Sequence, residues 1–300
     1  MIPDSLVGMI LNRLLPLTLV AMLAALGSSP AGASSRPIVV TGVTQWAALA
    51  RQVAGPDATV VSLVTDPNAD PHQHEATFTD AAHVASASIV IVNGAGYDTW
   101  LSKLVQGRSS APTVFNVATM VHAKLGANPH FFYDVSAAQK FVATFSTLLN
   151  RHGNLPGVAK RAKSLELALS MIARTLVVVH HACAGVAVAA TEDVTGYLLS
   201  ALGLNVVTPR LLRLAIGNGV DPTVRDLATA LDQLRNHVAF LVNNVQTATP
   251  LTAQLVARAK SVHVPVLNVT ETMRTGTYTQ WLGGIIGTMR ADLHQEGCLS

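Results

Sequence analysis

Charge is scarce in this chain: 20 Lys and Arg stand against 17 Asp and Glu in 300 residues, a formal balance of +3. No Lys/Arg cluster is interleaved with aromatics. That excludes a surface built to track a phosphate backbone, and no nucleic-acid partner is expected. Cysteine is scarcer still, with two residues. Cys183 and Cys298 lie far apart in sequence and read equally as one disulfide or as two buried thiols. The chain also lacks an H-E-x-x-H arrangement, a G-x-S-x-G elbow and a phosphate-binding glycine loop. Those are the local signatures of metalloproteases, serine hydrolases and nucleotide-binding enzymes.

Near the N-terminus the apolar run LLPLTLVAMLAALG spans fourteen residues, short of the roughly 20 that a membrane-crossing helix needs. Arg13 precedes it and Ala31-Gly32-Ala33 follows as an A-x-A pattern, so residues 1–33 read as an export signal cleaved after Ala33. Met9 is an alternative start that keeps Arg13 in the basic region. Ser28 and Ser29 stand where a lipid-modified cysteine would follow the apolar run. The mature protein is therefore expected outside the cytoplasm, periplasmic or associated with the cell surface, without a lipobox cysteine.

Half of the residues are hydrophobic, enough for a sizeable core in one large or two medium domains. From residue 36 onward, short β-branched runs alternate with helical periodicity. PIVVTGV, ATVVSLVT, SIVIVNG and TVFNV read as strands, with QWAALARQVAG, TFTDAAHVASA and YDTWLSKLVQG as helices between them. Two helical segments follow without a strand: SAAQKFVATFSTLLNRHG, capped by Ser136, and LPGVAKRAKSLELALSMIAR. The alternation resumes with VAVAATE, LNVVTP, VAFLVNN and VPVLNVTE, and closes on a helix over TYTQWLGGIIGTMRADLHQ. TLVVVHHACAG fits either a strand or a helix end. The pattern predicts an α/β fold of two lobes, each a mainly parallel β-sheet flanked by helices, joined by helix.

Ligands of open α/β sheets bind beyond the carboxyl ends of the strands, and few polar side chains fall there. His72, in DPNADPHQHEATFTD, follows the second strand, and His130, in NPHFFYDV, follows the fourth. Glu192 ends VAVAATE and Glu271 ends VPVLNVTE. Two residues come from each lobe, so a cleft between lobes can collect all four. Imidazole with carboxylate is a donor set for a divalent metal. The competing role for the two acids is stabilisation of a helix start. His83, His122, His152, His237, His263 and His294 form no usable arrangement.

DPHQHE, NPHFFYD, AATEDVTGYLLSALGL, NNVQTATP and VPVLNVTET occur in this order between about residues 37 and 290. Together they resemble the landmarks of the metal-specific solute-binding proteins of ABC importers, which deliver zinc or manganese. The resemblance implies lobes at 34–155 and 176–300, a long rigid linking helix at 156–175 and a metal site in the interlobe cleft. Carried over residue by residue, it makes His72, His130, Glu192 and Glu271 the metal ligands, with Zn2+ or Mn2+ as the transported ion. It implies no catalytic residue, and a monomer that works with an ABC permease in the membrane. His74 stands where the family usually has an aromatic residue, which makes it a packing neighbour. The His-rich acidic loop common in the family's zinc importers is missing, TETMRTG lacks the proline often found after that acid, and His180-His181 has no counterpart.

Two other functions use the same residues. A zinc hydrolase needs an open coordination position for an activated water, which four protein ligands would close. A surface adhesin on the same scaffold is the second, since fold alone does not fix function. Cys183 beside His180 or His181 also offers a nucleophile pair, against which stands an inert buried thiol. For a transported ion, the Irving–Williams order favours zinc, while carboxylates giving both oxygens suit manganese.

Overall fold

The computed structural model describes residues 36–107, 111–153, 155–236 and 238–299. The expected export signal at 1–33, with Met9, Ser28 and Ser29, and His237 lie outside those residues. The first lobe runs β1 (Ile38–Thr41), α1 (Thr44–Ala54), β2 (Thr59–Ser62), α2 (Phe78–Ser86), β3 (Ile89–Val92), α3 (Thr99–Gln106), β4 (Thr113–Asn116), α4 (Val117–Met120) and α5 (Val135–Asn150). Its strands pair in parallel in the order β2-β1-β3-β4. β3 is IVIV and buried at every position, as a parallel strand covered on both faces requires.

After α6 (Pro156–Cys183) the second lobe runs β5 (Ala187–Ala190), α7 (Gly196–Ala201), β6 (Asn205–Val206), α8 (Arg210–Gly217), α9 (Val224–Gln233), β7 (Leu241–Asn244), α10 (Pro250–Ser261), β8 (Val266–Val269) and α11 (Tyr278–Gln295). Its sheet is again parallel, in the order β6-β5-β7-β8. Both sheets repeat one topology, and both lobes belong to one contiguous unit, Pro37–Ser300. Each sheet has a switch point, between β1 and β3 and between β5 and β7, where loops leaving neighbouring strands part and open a crevice. No helix among the described residues is long and apolar enough to cross a membrane.

TLVVVHHAC, ambiguous in sequence, is helical, because α6 continues unbroken to Cys183. Leu176, Val179 and Cys183 are buried while Val177 and Val178 are exposed, the three- and four-residue spacing of one helix face. That face overrides the β-branched run, whose helix propensity is only slightly unfavourable. The expected connector at 156–175 is thus the first part of a 28-residue helix. The cap of α5 also differs from expectation: Asp134, not Ser136, is the N-cap, accepting the Ser136 N–H at 2.8 Å. Cys183 and Cys298 form a disulfide with their Cα atoms 5.2 Å apart.

Two contacts fix the scaffold beneath the site. Arg161 of α6 donates to the Val53 and Ala54 carbonyls at 2.9 and 2.6 Å and pairs with Asp57, closing the end of α1. Gly55 turns there at φ +54°, where a Cβ would stand 2.7 Å from Arg161 Nε, so backbone and space both demand glycine. In the core, Trp46 stacks on Phe141 with ring centres 5.0 Å apart. Its indole N–H donates to Asn93 Oδ1 at 2.9 Å, and Asn93 Nδ2 donates to the Pro129 carbonyl at 2.9 Å. The loop that carries His130 is therefore tied to a buried tryptophan.

Candidate metal centre

Asp70 opens a 3-10 turn over Pro71–Gln73 and accepts the His72 N–H at 2.8 Å, with proline pre-set for the first turn position. Trp100 donates its indole N–H to the Pro71 carbonyl at 3.3 Å, and the His72 ring lies 4.1 Å from that of Tyr97. His130 is held by Asn128, whose Oδ1 accepts the backbone N–H at 3.0 Å and the ring Nδ1–H at 2.7 Å. In the neutral form that metal binding requires, the proton stays on Nδ1 and Nε2 offers its lone pair; without metal, the contact of Nε2 with Glu271 needs a proton there as well. Glu271 follows β8 and is buried, its backbone N–H donating to Gln246 Oε1.

These three side chains converge. Glu271 Oε2 lies 3.2 Å from His72 Nε2 and 3.1 Å from His130 Nε2, and the two nitrogens are 3.3 Å apart. Such a triangle has the size of one face of the donor shell around a divalent ion with bonds of about 2.0–2.2 Å. Among the described residues, His72, His130 and Glu271 form the group of potential ligands whose donor atoms all lie within 4.8 Å of one another. Tyr97 donates its hydroxyl to the same Glu271 oxygen at 3.0 Å.

Burial disfavours the charge on Glu271, but the charge and hydrogen bonds of His130 and His72 outweigh it and hold the carboxyl well below the usual range. For His72, burial pulls the imidazole down, yet the hydrogen bond and charge of Glu271, with Asp70 and Glu192 behind it, leave its pKa raised. Burial first, then Glu271, pushes Glu192 up against the pull of His130, Thr247 and Asn244. Asp98 is pushed up to about 6 by burial. It accepts the backbone N–H groups of Asn93 at 2.7 Å and Gly94 at 2.9 Å, bracing the loop that presents Tyr97.

Glu192, the fourth expected ligand, is buried but stands one side chain away from the triangle. Asn244 Nδ2 lies between the two acids, donating to Oε1 of Glu192 and to Oε1 of Glu271, the latter at 2.7 Å. His74 goes elsewhere: its Nε2 pairs with Asp80 Oδ2 at 3.0 Å and its ring packs on Trp100 at 4.4 Å. His180 and His181 are exposed on α6, with His180 Nδ1 3.2 Å from the Ala201 carbonyl.

The amides and the phenol around these side chains carry no signal of their own in the sequence. Asn128 also donates to the Asp193 carbonyl at 2.6 Å, and Gln246 donates to the Ala69 carbonyl at 2.6 Å. Both bonds cross between the lobes. NNVQTATP was visible as a landmark, but an uncharged amide declares no role until its neighbours are known. The one signal in the chain was position, at a strand end or two residues from a histidine.

Residues 39–291 match the family described as ZnuA, zinc-uptake complex component A periplasmic. The iron-binding protein YfeA of Yersinia pestis is 25% identical over 168 residues, 51% of this chain and 54% of that protein. The manganese-binding lipoprotein MntA of Halalkalibacterium halodurans is 29% identical over 108 residues, 35% of this chain and 36% of that one. The chain thus spans about half, or less, of the length of these curated relatives. Its fold is similar to that of the periplasmic zinc-binding protein TroA from Treponema pallidum, with a TM-score of 0.71 at 18% identity over 86% of this chain and 99% of that one. Two parallel-sheet lobes and a family match across most of the length lead to one assignment: the chain belongs to the family described as zinc-uptake complex component A, periplasmic.

Proposed function

We propose that this protein captures a divalent transition metal between its lobes and hands it to an ABC permease in the membrane, performing no covalent chemistry itself. The observation that carries this reading is the triangle of His72 Nε2, His130 Nε2 and Glu271 Oε2, which draws donors from both lobes. Glu192, buried one side chain away behind Asn244, is the fourth ligand in this reading, brought in by the family resemblance rather than by the triangle itself. Four protein donors close a tetrahedral shell, so zinc is the favoured cargo and manganese the runner-up. A closed shell leaves no position for an activated water, which weighs against a hydrolase.

The lobes divide at 34–155 and 176–300, with 156–175 in the connector; the long α6 supports that division. Export as a monomer, with cleavage after Ala33, is part of the same reading. The Cys183–Cys298 disulfide supports it, because such bonds persist in oxidising compartments.

Elemental mass spectrometry on protein purified without chelator tests the proposal, beside His72→Ala/His130→Ala. The expected result is near one equivalent of zinc or manganese in the parent and none in the double variant. A metal-free parent that gains no thermal stability from either ion would overturn it.

A further inference from the structure

Asn244 ends β7 at the switch point of the second sheet and is wholly buried. Its surroundings allow its amide one orientation. Oδ1 accepts the backbone N–H of Gln246 at 3.1 Å, while Nδ2 faces the carboxylates of Glu192 and Glu271. A flipped amide would set oxygen against two acids and NH2 against a donor. Both amide hydrogens are therefore committed, one to Oε1 of each glutamate. Thr247 donates its hydroxyl to the same Glu192 oxygen at 2.8 Å.

The consequence is a division of labour within each carboxylate. Oε1 belongs to the end of β7, and Oε2 is the remaining oxygen. In Glu271 that oxygen meets His72, His130 and Tyr97. In Glu192 it lies beside Gly217, where a Cβ would stand 3.1 Å away.

We infer that Asn244 is a specificity-determining residue: by holding Oε1 of both acids it restricts each to one oxygen. The inference rests on Glu192 and Glu271 being the ligands proposed above. With Glu192 Oε2 turned from Gly217 to the metal, two imidazole nitrogens and two single carboxylate oxygens would make the four-donor tetrahedral set that suits zinc. Manganese prefers a six-donor, oxygen-rich shell, which the site supplies only if the acids bind through both oxygens.

The test replaces Asn244 with Ala and, as a smaller change, with Ser, whose single O–H reaches at most one carboxylate. Zinc and manganese affinities are measured by chelator competition, and cobalt(II) is bound as a spectroscopic probe. In the parent, cobalt shows the intense visible bands of a four-coordinate ion. In the variants those bands weaken toward the five- or six-coordinate form, and the zinc-to-manganese affinity ratio falls about 10-fold or more, the scale of an outer-shell change. Unchanged cobalt bands with an unchanged ratio overturn the inference, as does an equal loss of both metals. A parent that binds no ion removes the proposed function itself, whereas a parent whose binding depends on His72 and His130 leaves that reading standing whatever Asn244 does.

Discussion

Asn128 holds His130 at two points: one side-chain oxygen accepts the backbone N–H at 3.0 Å and the ring Nδ1–H at 2.7 Å. A single residue thus fixes both the loop and the tautomer. Asn128→Ala removes that one acceptor, and with it both bonds, and leaves Nδ1 without its partner. Zinc affinity is expected to drop about 10- to 100-fold, the usual cost of losing a partner behind a metal-binding histidine. Chelator competition reads it, and an affinity equal to the parent's would show that Asn128 serves only the loop.

In the proposed site, protons and metal compete for His72. Its pKa is raised because the hydrogen bond and charge of Glu271 overcome burial, so protonation begins above the ordinary imidazole value of about 6.5. In the metal-free protein the ion pair adds stability that is fully present below about 6.5 and is lost as pH rises through the raised value. Metal binding runs the opposite way and needs the neutral ring. The gain in melting temperature on adding zinc should therefore grow from pH 5.5 to pH 8. A gain independent of pH would count against imidazole ligation.

The Cys183–Cys298 bond closes a loop with a sequence separation of 115. By chain entropy alone, a loop of that length is worth on the order of 4–5 kcal/mol. Replacing both cysteines by Ala should lower the urea midpoint by a corresponding amount while leaving the metal stoichiometry at one. An unchanged midpoint would show that the reduced chain stays as restricted as the bridged one.

Arg161 joins α6 to the end of α1 through two carbonyls and Asp57. Arg161→Lys keeps the charge but loses the planar fork. It should cost about 1–3 kcal/mol, the range for an unsatisfied partly buried acceptor. Denaturant unfolding measures this, and metal affinity should not move. A variant as stable as the parent would mean that water replaces the fork.

Much of the fold was legible because its signal is local. IVIV between helical stretches announces a buried parallel strand, and β3 is one. Differences arise where local and tertiary preferences diverge. TLVVVHHAC fits either a strand or a helix end by composition, and it is helix, since Leu176, Val179 and Cys183 find a core to face. Asp134 took the cap expected of Ser136 because capping depends on where the backbone turns.

At the site, strand-end position narrows the candidates to a few polar side chains, and the motifs around His72, His130, Glu192 and Glu271 pick these four out. The sequence by itself determined the alternation of strand and helix, and the donor-bearing residues at the strand ends. Only the tertiary structure decided which donor atoms meet, that His74 turns to Asp80, that Cys183 reaches Cys298, and that Asn244 stands between two glutamates. The reason is physical: periodicity and strand ends are properties of neighbouring residues, whereas a hydrogen bond or a ligand triangle needs a definite distance between residues far apart in the chain, which only packing sets.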